Sequence, residues 1–157
     1  MKRSTVLAAL VFGCLFALIQ SNLLAVSQAG KAGLSSQQLA ALQLASKNLV
    51  RGYQDLLSTA PDVKGDTSKL EGHMEAALNQ LHMINPASIP AAPAKFQGQD
   101  RGKSREFILS AVKGHLDKAR EVITSANVSS PYTKQALANI GMAEEELAAA
   151  GAAAQVK

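Results

Sequence analysis

Aliphatic residues recur at helical spacing in four segments of the chain, and no segment shows the strict alternation typical of a strand. Spacings of three and four residues place apolar side chains on one face of an α-helix. The segments run over about 36–59, 68–84, 104–125 and 131–149. Because each helix alone would leave an apolar face in water, the pattern predicts an all-α four-helix bundle that forms a single domain, residues 30–157.

Polar residues, proline and glycine mark where these helices begin and end. A Ser three residues before a Gln or Glu can form a capping box, and Pro is favoured at the first helical position. The expected starts are Ser35 with Gln38, Ser68 with Glu71 (Asp66 and Thr67 being alternative caps), and Ser130 before Pro131. The expected ends are Ala60-Pro61-Asp62, Asn85-Pro86 and Gly151.

Residues 85–103 join the second and third segments and differ from them in composition. Pro86, Pro90 and Pro93 stand among Ala and Ser residues, and basic residues follow. Such a stretch favours an extended, partly polyproline-like path. Its length indicates a crossover rather than a tight turn.

The halves on either side of this linker show a weak internal repeat. Segment two aligns with segment four, and segment one aligns with segment three. The bundle is therefore predicted to consist of two helical hairpins joined by the Pro-rich crossover. The matched positions include Leu49 with Leu116, Leu78 with Leu137, and Met83 with Met142.

The first 29 residues have the pattern of a secretory signal peptide. Two basic residues follow the initiating Met, and an apolar run of 14 residues extends from Val6 to Ile19. Small residues then allow cleavage before Gln28 or Gly30. The run is shorter than the roughly 20 residues of a membrane span, so we expect export to the periplasm or beyond and no stable span after cleavage. A retained N-terminal anchor is the alternative.

Cleavage there would also change the chemistry open to the chain. It would remove Cys14, the only cysteine, and with it disulfides and thiol catalysis. The mature chain would keep 14 basic residues against 12 acidic ones, which is too small an excess to indicate nucleic-acid binding. Neither a Gly-x-Ser-x-Gly elbow nor a phosphate-binding loop occurs, so we do not expect an enzyme.

The three histidines are the main candidates for ligands. His115 lies near the centre of the apolar face of the third segment, and His73 flanks the face of the second, beside Met74. Across a bundle core these residues could hold a transition metal or a b-type haem, since imidazole suits iron, copper and zinc. The alternative is that His115 is a packed core residue. His82 points away from the apolar face and is expected to be exposed.

Two charged stretches complete the set of candidates. Lys95, Arg101, Lys103 and Arg105 form the strongest basic patch, which an anionic surface or polymer could contact; a solvated crossover is the alternative. The acidic run Glu144–Glu146 is predicted to be a solvated helix face, because consecutive side chains point about 100° apart.

One heptapeptide carries a resemblance to known proteins. Gly72-His73-Met74-Glu75-Ala76-Ala77-Leu78 resembles a Gly-His-x-x-Ala-Leu-like string of small exported bacterial helical-bundle proteins, and residues 114–119 give a looser version. The resemblance implies an exported helical bundle and no particular activity. The architecture is also similar to that of periplasmic four-helix cytochromes, although their axial ligands lie on the first and last helices.

The sequence thus favours an exported, non-enzymatic helical bundle that acts as an interaction or structural module. Its partner would be another protein or a second copy, and no cofactor is expected. The alternative function is a metal or b-type haem carrier that uses His115 and His73, with Met74 as a further ligand.

Overall fold

A computed structural model describes residues 33–57, 67–93 and 103–154 and contains four helices there, with no strand. The predicted all-α four-helix bundle is confirmed. All four helices belong to one compact unit, Leu34–Lys157. The helices are α1 (Ser36–Leu57), α2 (Ser68–Ile84), α3 (Arg105–Ala126) and α4 (Pro131–Ala154).

Several predicted features lie outside the described residues. They are the signal peptide, residues 1–29, with Cys14; the Ala60-Pro61-Asp62 stop and the Asp66 cap; and the basic residues Lys95 and Arg101.

Two of the predicted helix caps are formed as expected, and a third cap that was not predicted from the sequence begins α3. In the capping box of α1, the Ser35 N–H donates to Gln38 Oε1 at 3.0 Å and the Gln38 N–H donates to Ser35 Oγ at 3.1 Å. Ser130 Oγ accepts from the Thr133 N–H at 3.1 Å, so α4 begins at its proline as expected. The same kind of contact begins α3, where Ser104 Oγ accepts from the backbone N–H of Phe107.

The start of α2 differs from the predicted Ser68–Glu71 capping box. Thr67, one of the alternative caps predicted from the sequence, is the cap residue, but its side chain makes no hydrogen bond to the backbone N–H groups of the first turn. Its hydroxyl donates instead to Glu71 Oε1 at 3.0 Å. The predicted Ser68–Glu71 capping box was wrong. The Glu71 carboxylate accepts a hydrogen bond from the Thr67 hydroxyl, one helical turn earlier.

The ends of α3 and α4 are formed in different ways. Asn127 ends α3 in the left-handed conformation with φ of 48°, and its N–H donates to the Thr124 carbonyl at 3.2 Å. The predicted stop at Gly151 was wrong, since α4 continues to Ala154. A glycine costs a helix only about 1 kcal/mol relative to alanine, and the alanines around it favour continuation.

The four helices pack in antiparallel pairs. α1 packs most closely against α3, and α2 packs most closely against α4; the pairs α1–α2 and α3–α4 share less surface. Gln38 near the start of α1 reaches Ala126 at the end of α3, which fixes the direction of that pair. The helices that align in the internal repeat are therefore the ones that pack together.

The crossover begins by folding back along α2. Ile89 is fully buried, and the Ser88 carbonyl accepts from Gln43 Nε2 at 3.1 Å. The Ala92 N–H donates to Asn79 Oδ1 at 3.3 Å, five residues before the end of α2. Residues 85–93 are thereby attached to the first hairpin, as a crossover toward the far end of the bundle requires.

An aliphatic core fills the space between the helices. Helical spacing predicts six residues on the apolar face of α2, and all six are buried: Leu70, Met74, Ala77, Leu78, Leu81 and Ile84. The spacing in α3 predicts Phe107 on the apolar face, and this prediction was wrong, since Phe107 is 56% exposed and Leu109 is buried instead. Burial raises the pKa of the Tyr53 phenol, and the carboxylates of Glu75 and Glu71 raise it further, so this side chain stays neutral in the core. The largest fully buried side chains are Tyr53, Leu42, Leu49, Leu56, Leu70, Met74, Leu78, Leu81, Ile89, Leu116, Ile140 and Val112.

Candidate functional site

His115 lies at the seam between α1 and α3, with a quarter of its side chain exposed. Its Cβ faces Gly52 of α1, and its Nε2 lies 3.5 Å from Asp55 Oδ2. The ring therefore extends past Gly52 toward a carboxylate that is exposed to about the same degree. This position makes His115 a contact between two helices at the edge of the core.

A shallow polar pocket opens beside this histidine. Its volume is about 230 Å³, and it is lined by Arg51, Gln54, Asp55 and His115. The lining offers a guanidinium and an amide as donors, and a carboxylate as an acceptor. Such a set can hold water or a small polar group against the α1–α3 seam.

Gly52 brings together two of the three predicted ligands. A Cβ built at this position would lie 3.0 Å from Met74 Cε and 3.1 Å from His115 Cβ. Met74 is fully buried, and His73 is half-buried on the same helix. Within residues 33–57, 67–93 and 103–154, no group of three or more His, Cys, Asp and Glu is placed to hold a metal ion.

His82 occupies a different environment from the one predicted. It is half-buried, and its Nδ1 lies 2.7 Å from the carbonyl oxygen of Ile89. The exposed position predicted for His82 was wrong because the crossover folds back over this side of α2. Helical periodicity contains no signal for such a contact.

The two described members of the basic patch both contact their own chain. Lys103 Nζ lies 4.9 Å from the centroid of the Phe107 ring, within the range of a cation–π contact. Arg105 Nη2 donates to the Ala150 carbonyl at 3.3 Å. Arg105 thus connects the start of α3 to the last turns of α4.

The acidic run on α4 contributes to helix packing. Glu144 accepts two hydrogen bonds from Arg120, from Nε at 2.8 Å and from Nη2 at 2.6 Å. Gly141 leaves room for this guanidinium, since a Cβ there would lie 3.3 Å from Arg120 Nη2. Glu146 lies 3.8 Å from Lys69 of α2. The predicted solvated face was therefore wrong for Glu144, because Arg120 of the neighbouring helix binds its carboxylate.

A groove of about 420 Å³ lies between α3 and α4, one of the two less closely packed helix pairs. Its rim charges are already paired. Lys113 Nζ donates to Asp117 Oδ2 at 2.6 Å, and this hydrogen bond raises the pKa of the lysine. Because Arg120 also neutralises Glu144, the groove presents apolar surface between balanced charges. Its lining residues are Leu109, Ser110, Lys113, Asp117, Glu144, Leu147 and Ala148.

A second, larger groove of about 670 Å³ follows the α1–α3 seam at the start of α1. It is lined about equally by polar and small apolar groups. Gln38 lines it and donates to the Ala126 carbonyl at 3.3 Å. This surface therefore includes the contact that caps the end of α3.

None of the described helices is long and apolar enough to cross a membrane. Comparisons with protein-family models, with curated proteins and with solved structures give no match to this chain. What the site can do is therefore inferred from its own geometry.

Proposed function

We propose that this chain is an exported, non-enzymatic helical bundle that acts as an interaction or structural module in the periplasm or outside the cell. One observation carries the proposal: the side chains best suited to chemistry are used to hold the bundle together. His115 contacts Asp55, His82 contacts the crossover, and Arg120 binds Glu144. These contacts stabilise a fixed surface, which is what an interaction module requires.

The groove between α3 and α4 is the surface that we assign to the partner. Leu109, Leu147 and Ala148 give it an apolar floor. Since the rim charges neutralise one another, the groove complements uncharged apolar side chains better than charged ones. The partner is therefore a protein segment that presents a short apolar stretch, as an amphipathic helix does.

Export and binding can be tested on the full chain in a bacterial host. Mass spectrometry of the mature protein should give a chain that begins at Gln28 or Gly30. A photoreactive amino acid at Ser110, in the groove, should form an adduct with one protein, and the change Ala148→Lys should abolish it. The matched control is the same probe at Lys47, an exposed residue of α1.

Three results would contradict this proposal. An uncleaved chain in the cytoplasm would contradict export. Equal adducts at Ser110 and Lys47, or an adduct that survives Ala148→Lys, would contradict the groove.

A metal or b-type haem carrier is the second candidate, with His115, His73 and Met74 as ligands. It is favoured by one observation, the approach of Met74 and His115 to the same glycine. An absorption spectrum with metal analysis, repeated after haem or metal is added back, tests it. A Soret band or stoichiometric metal that disappears in His115→Leu supports the carrier, and a blank result after addition contradicts it.

A further inference from the structure

We propose that the outer face of the α1–α3 pair binds the surface of a membrane that contains anionic lipids, with both helices lying flat on the headgroups. The proposal is independent of the proposed function, because that function uses the groove between α3 and α4. Attachment to one surface of a bilayer needs basic and apolar side chains on a common face, and it needs no spanning helix.

Charge is divided unevenly between the two closest helix pairs. α1 and α3 carry six basic and four acidic residues, whereas α2 and α4 carry two basic and five acidic residues. These pairs form opposite sides of the bundle, since α1 packs most closely on α3 and α2 packs most closely on α4. A negatively charged surface therefore attracts the α1–α3 side and repels the α2–α4 side, which gives the bundle one preferred orientation.

Two basic residues of α1 point outward. Lys47 and Arg51 are exposed and four residues apart, which places them on one face of the helix. Neither side chain takes part in an ion pair or a hydrogen bond with any residue that the structure describes. Arg51 also lines the pocket that contains His115, so the face continues across the α1–α3 seam. Both cations can therefore contact lipid phosphates.

The acidic residues beside these cations are already paired. Asp55 Oδ2 lies 3.5 Å from His115 Nε2, at the seam between the two helices. Glu121 Oε2 on α3 accepts from Lys118 Nζ at 2.7 Å. These pairs leave the positive charge of Lys47 and Arg51 uncompensated at the outer face.

Exposed apolar side chains lie on the same face. Leu44 of α1 is 47% exposed and precedes Lys47 by three residues. Phe107 of α3 is 56% exposed, and Lys103 Nζ lies 4.9 Å from the centroid of its ring. Phe107 is about 140° around the axis from Arg120, which binds α4, so the ring lies on the side of α3 away from α4. An aromatic ring beside a lysine suits a membrane interface, because the ring enters the apolar boundary while the ammonium stays at the phosphates.

The apolar groups favour a lipid surface over a soluble polyanion. A polyanion in solution would contact only the cations, whereas a lipid surface also takes up Leu44 and Phe107. Ala111 and Gly114 follow Phe107 at helical spacing on α3, and a Cβ at Gly114 would meet nothing within 4 Å. The face between the anchors is therefore flat enough to approach the headgroups.

The test measures binding of the purified chain to large unilamellar vesicles by sedimentation. Vesicles of equal parts phosphatidylglycerol and phosphatidylcholine should bind the chain, and added salt should weaken the binding. On phosphatidylcholine alone, binding should be on the order of 100-fold weaker, since Lys47, Arg51 and Lys103 each lose about fivefold. All variants keep residues 1–32, so any contribution of that segment is the same in each comparison.

Single substitutions locate the binding face. Lys47→Gln and Arg51→Gln should each weaken vesicle binding about fivefold, the contribution of one basic residue near an anionic surface. Lys134→Gln is the matched control, because Lys134 is an exposed lysine of α4 on the acidic side, and binding should be unchanged. Phe107→Ala should weaken binding to vesicles roughly fivefold and leave binding to soluble polyphosphate unaltered. Far-UV circular dichroism checks that each variant is folded.

Three outcomes would overturn the proposal. The first is the absence of binding to phosphatidylglycerol vesicles at low salt. The second is an equal loss in Lys134→Gln and Lys47→Gln, because net charge rather than the α1–α3 face would then determine binding. The third is a Phe107→Ala variant that binds vesicles as well as the unchanged chain does, which would indicate a site for soluble polyanions instead.

Discussion

Replacement of Gly52 by Ala should destabilise the bundle, although alanine is the better helix former. The new methyl group would lie 3.0 Å from Met74 Cε and 3.1 Å from His115 Cβ. Met74 Cε is the end of a flexible side chain and can move aside. His115 Cβ is attached directly to the backbone of α3, so relief of this contact requires α1 and α3 to move apart.

The magnitude follows from two opposing terms. Ala in place of Gly inside a helix gains about 1 kcal/mol. Overpacking in a well-packed core costs about 1–3 kcal/mol. Because α1 and α3 form one of the two closest helix pairs, the steric term is expected to prevail, with a net loss of about 1 kcal/mol. For a domain of this size that lowers Tm by roughly 4 °C.

Gly114→Ala and Gly72→Ala are the matched controls. Both glycines are exposed within helices, and a Cβ at either position would meet nothing within 4 Å. Each change should therefore stabilise the protein by about 1 kcal/mol, the full helix-propensity gain. Gly114 immediately precedes His115 on α3, which makes it the closer control.

Urea unfolding followed by far-UV circular dichroism measures all three variants on one scale. The expected difference between Gly52→Ala and Gly114→Ala is about 2 kcal/mol. If Gly52→Ala raises the urea midpoint as much as Gly114→Ala does, the close approach of α1 to α3 at Gly52 is refuted.

Three further predictions concern other contacts of the bundle. A double-mutant cycle with Arg120→Ala and Glu144→Ala, measured by urea unfolding, should give a coupling free energy of about 1 kcal/mol, since the ion pair is bidentate but only partly buried. A coupling free energy near zero would contradict a packing role for this pair. The raised pKa of Tyr53 means that the folded state holds its proton more tightly, so stability should fall as the pH rises above 10. Tyr53→Phe should reduce that fall, and an unchanged alkaline slope would show that other groups cause it. At Asn127, whose φ is 48°, Asn127→Gly should leave the free energy of unfolding unchanged or raise it slightly, whereas Asn127→Val should lower it by about 1 kcal/mol. Equal free energies of unfolding for the two variants would contradict the left-handed cap.

Sequence periodicity predicted the cores of the helices better than their edges. In α2 the apolar positions are three or four residues apart, apart from the adjacent Ala77 and Leu78, so they define a single face. In α3, Phe107 and Leu109 are about 200° apart around the axis, and only one can face the core. Val112 lies about 60° from Leu109 but about 140° from Phe107. The register with Val112 therefore selects Leu109, and the larger side chain was the wrong choice.

The candidate site was predicted less well, because its contacts join elements that are distant in sequence. His82 is half-buried because the crossover covers it, and Glu144 binds Arg120 of the neighbouring helix α3. Neither contact follows from spacing within one helix. The identification of His115 as an edge residue needed two facts from the structure, namely that α3 packs on α1 and that Gly52 lies opposite.

The two Gly-His strings show how similar sequences acquire different surroundings. Gly72 and Gly114 both face open space, so packing requires neither glycine. Their histidines differ, because His115 contacts Asp55 at the α1–α3 seam and His73 lies on α2, which packs mainly on α4. Met74, Ala77 and Leu78 of the first string and Leu116 and Ala119 of the second are buried, so core packing explains these apolar positions. It does not explain the two glycines, since a glycine inside a helix lowers stability by about 1 kcal/mol and the fold uses neither. The alanine variants at Gly72 and Gly114 can therefore be assayed on the exposed surface of α2 and α3 without loss of the bundle.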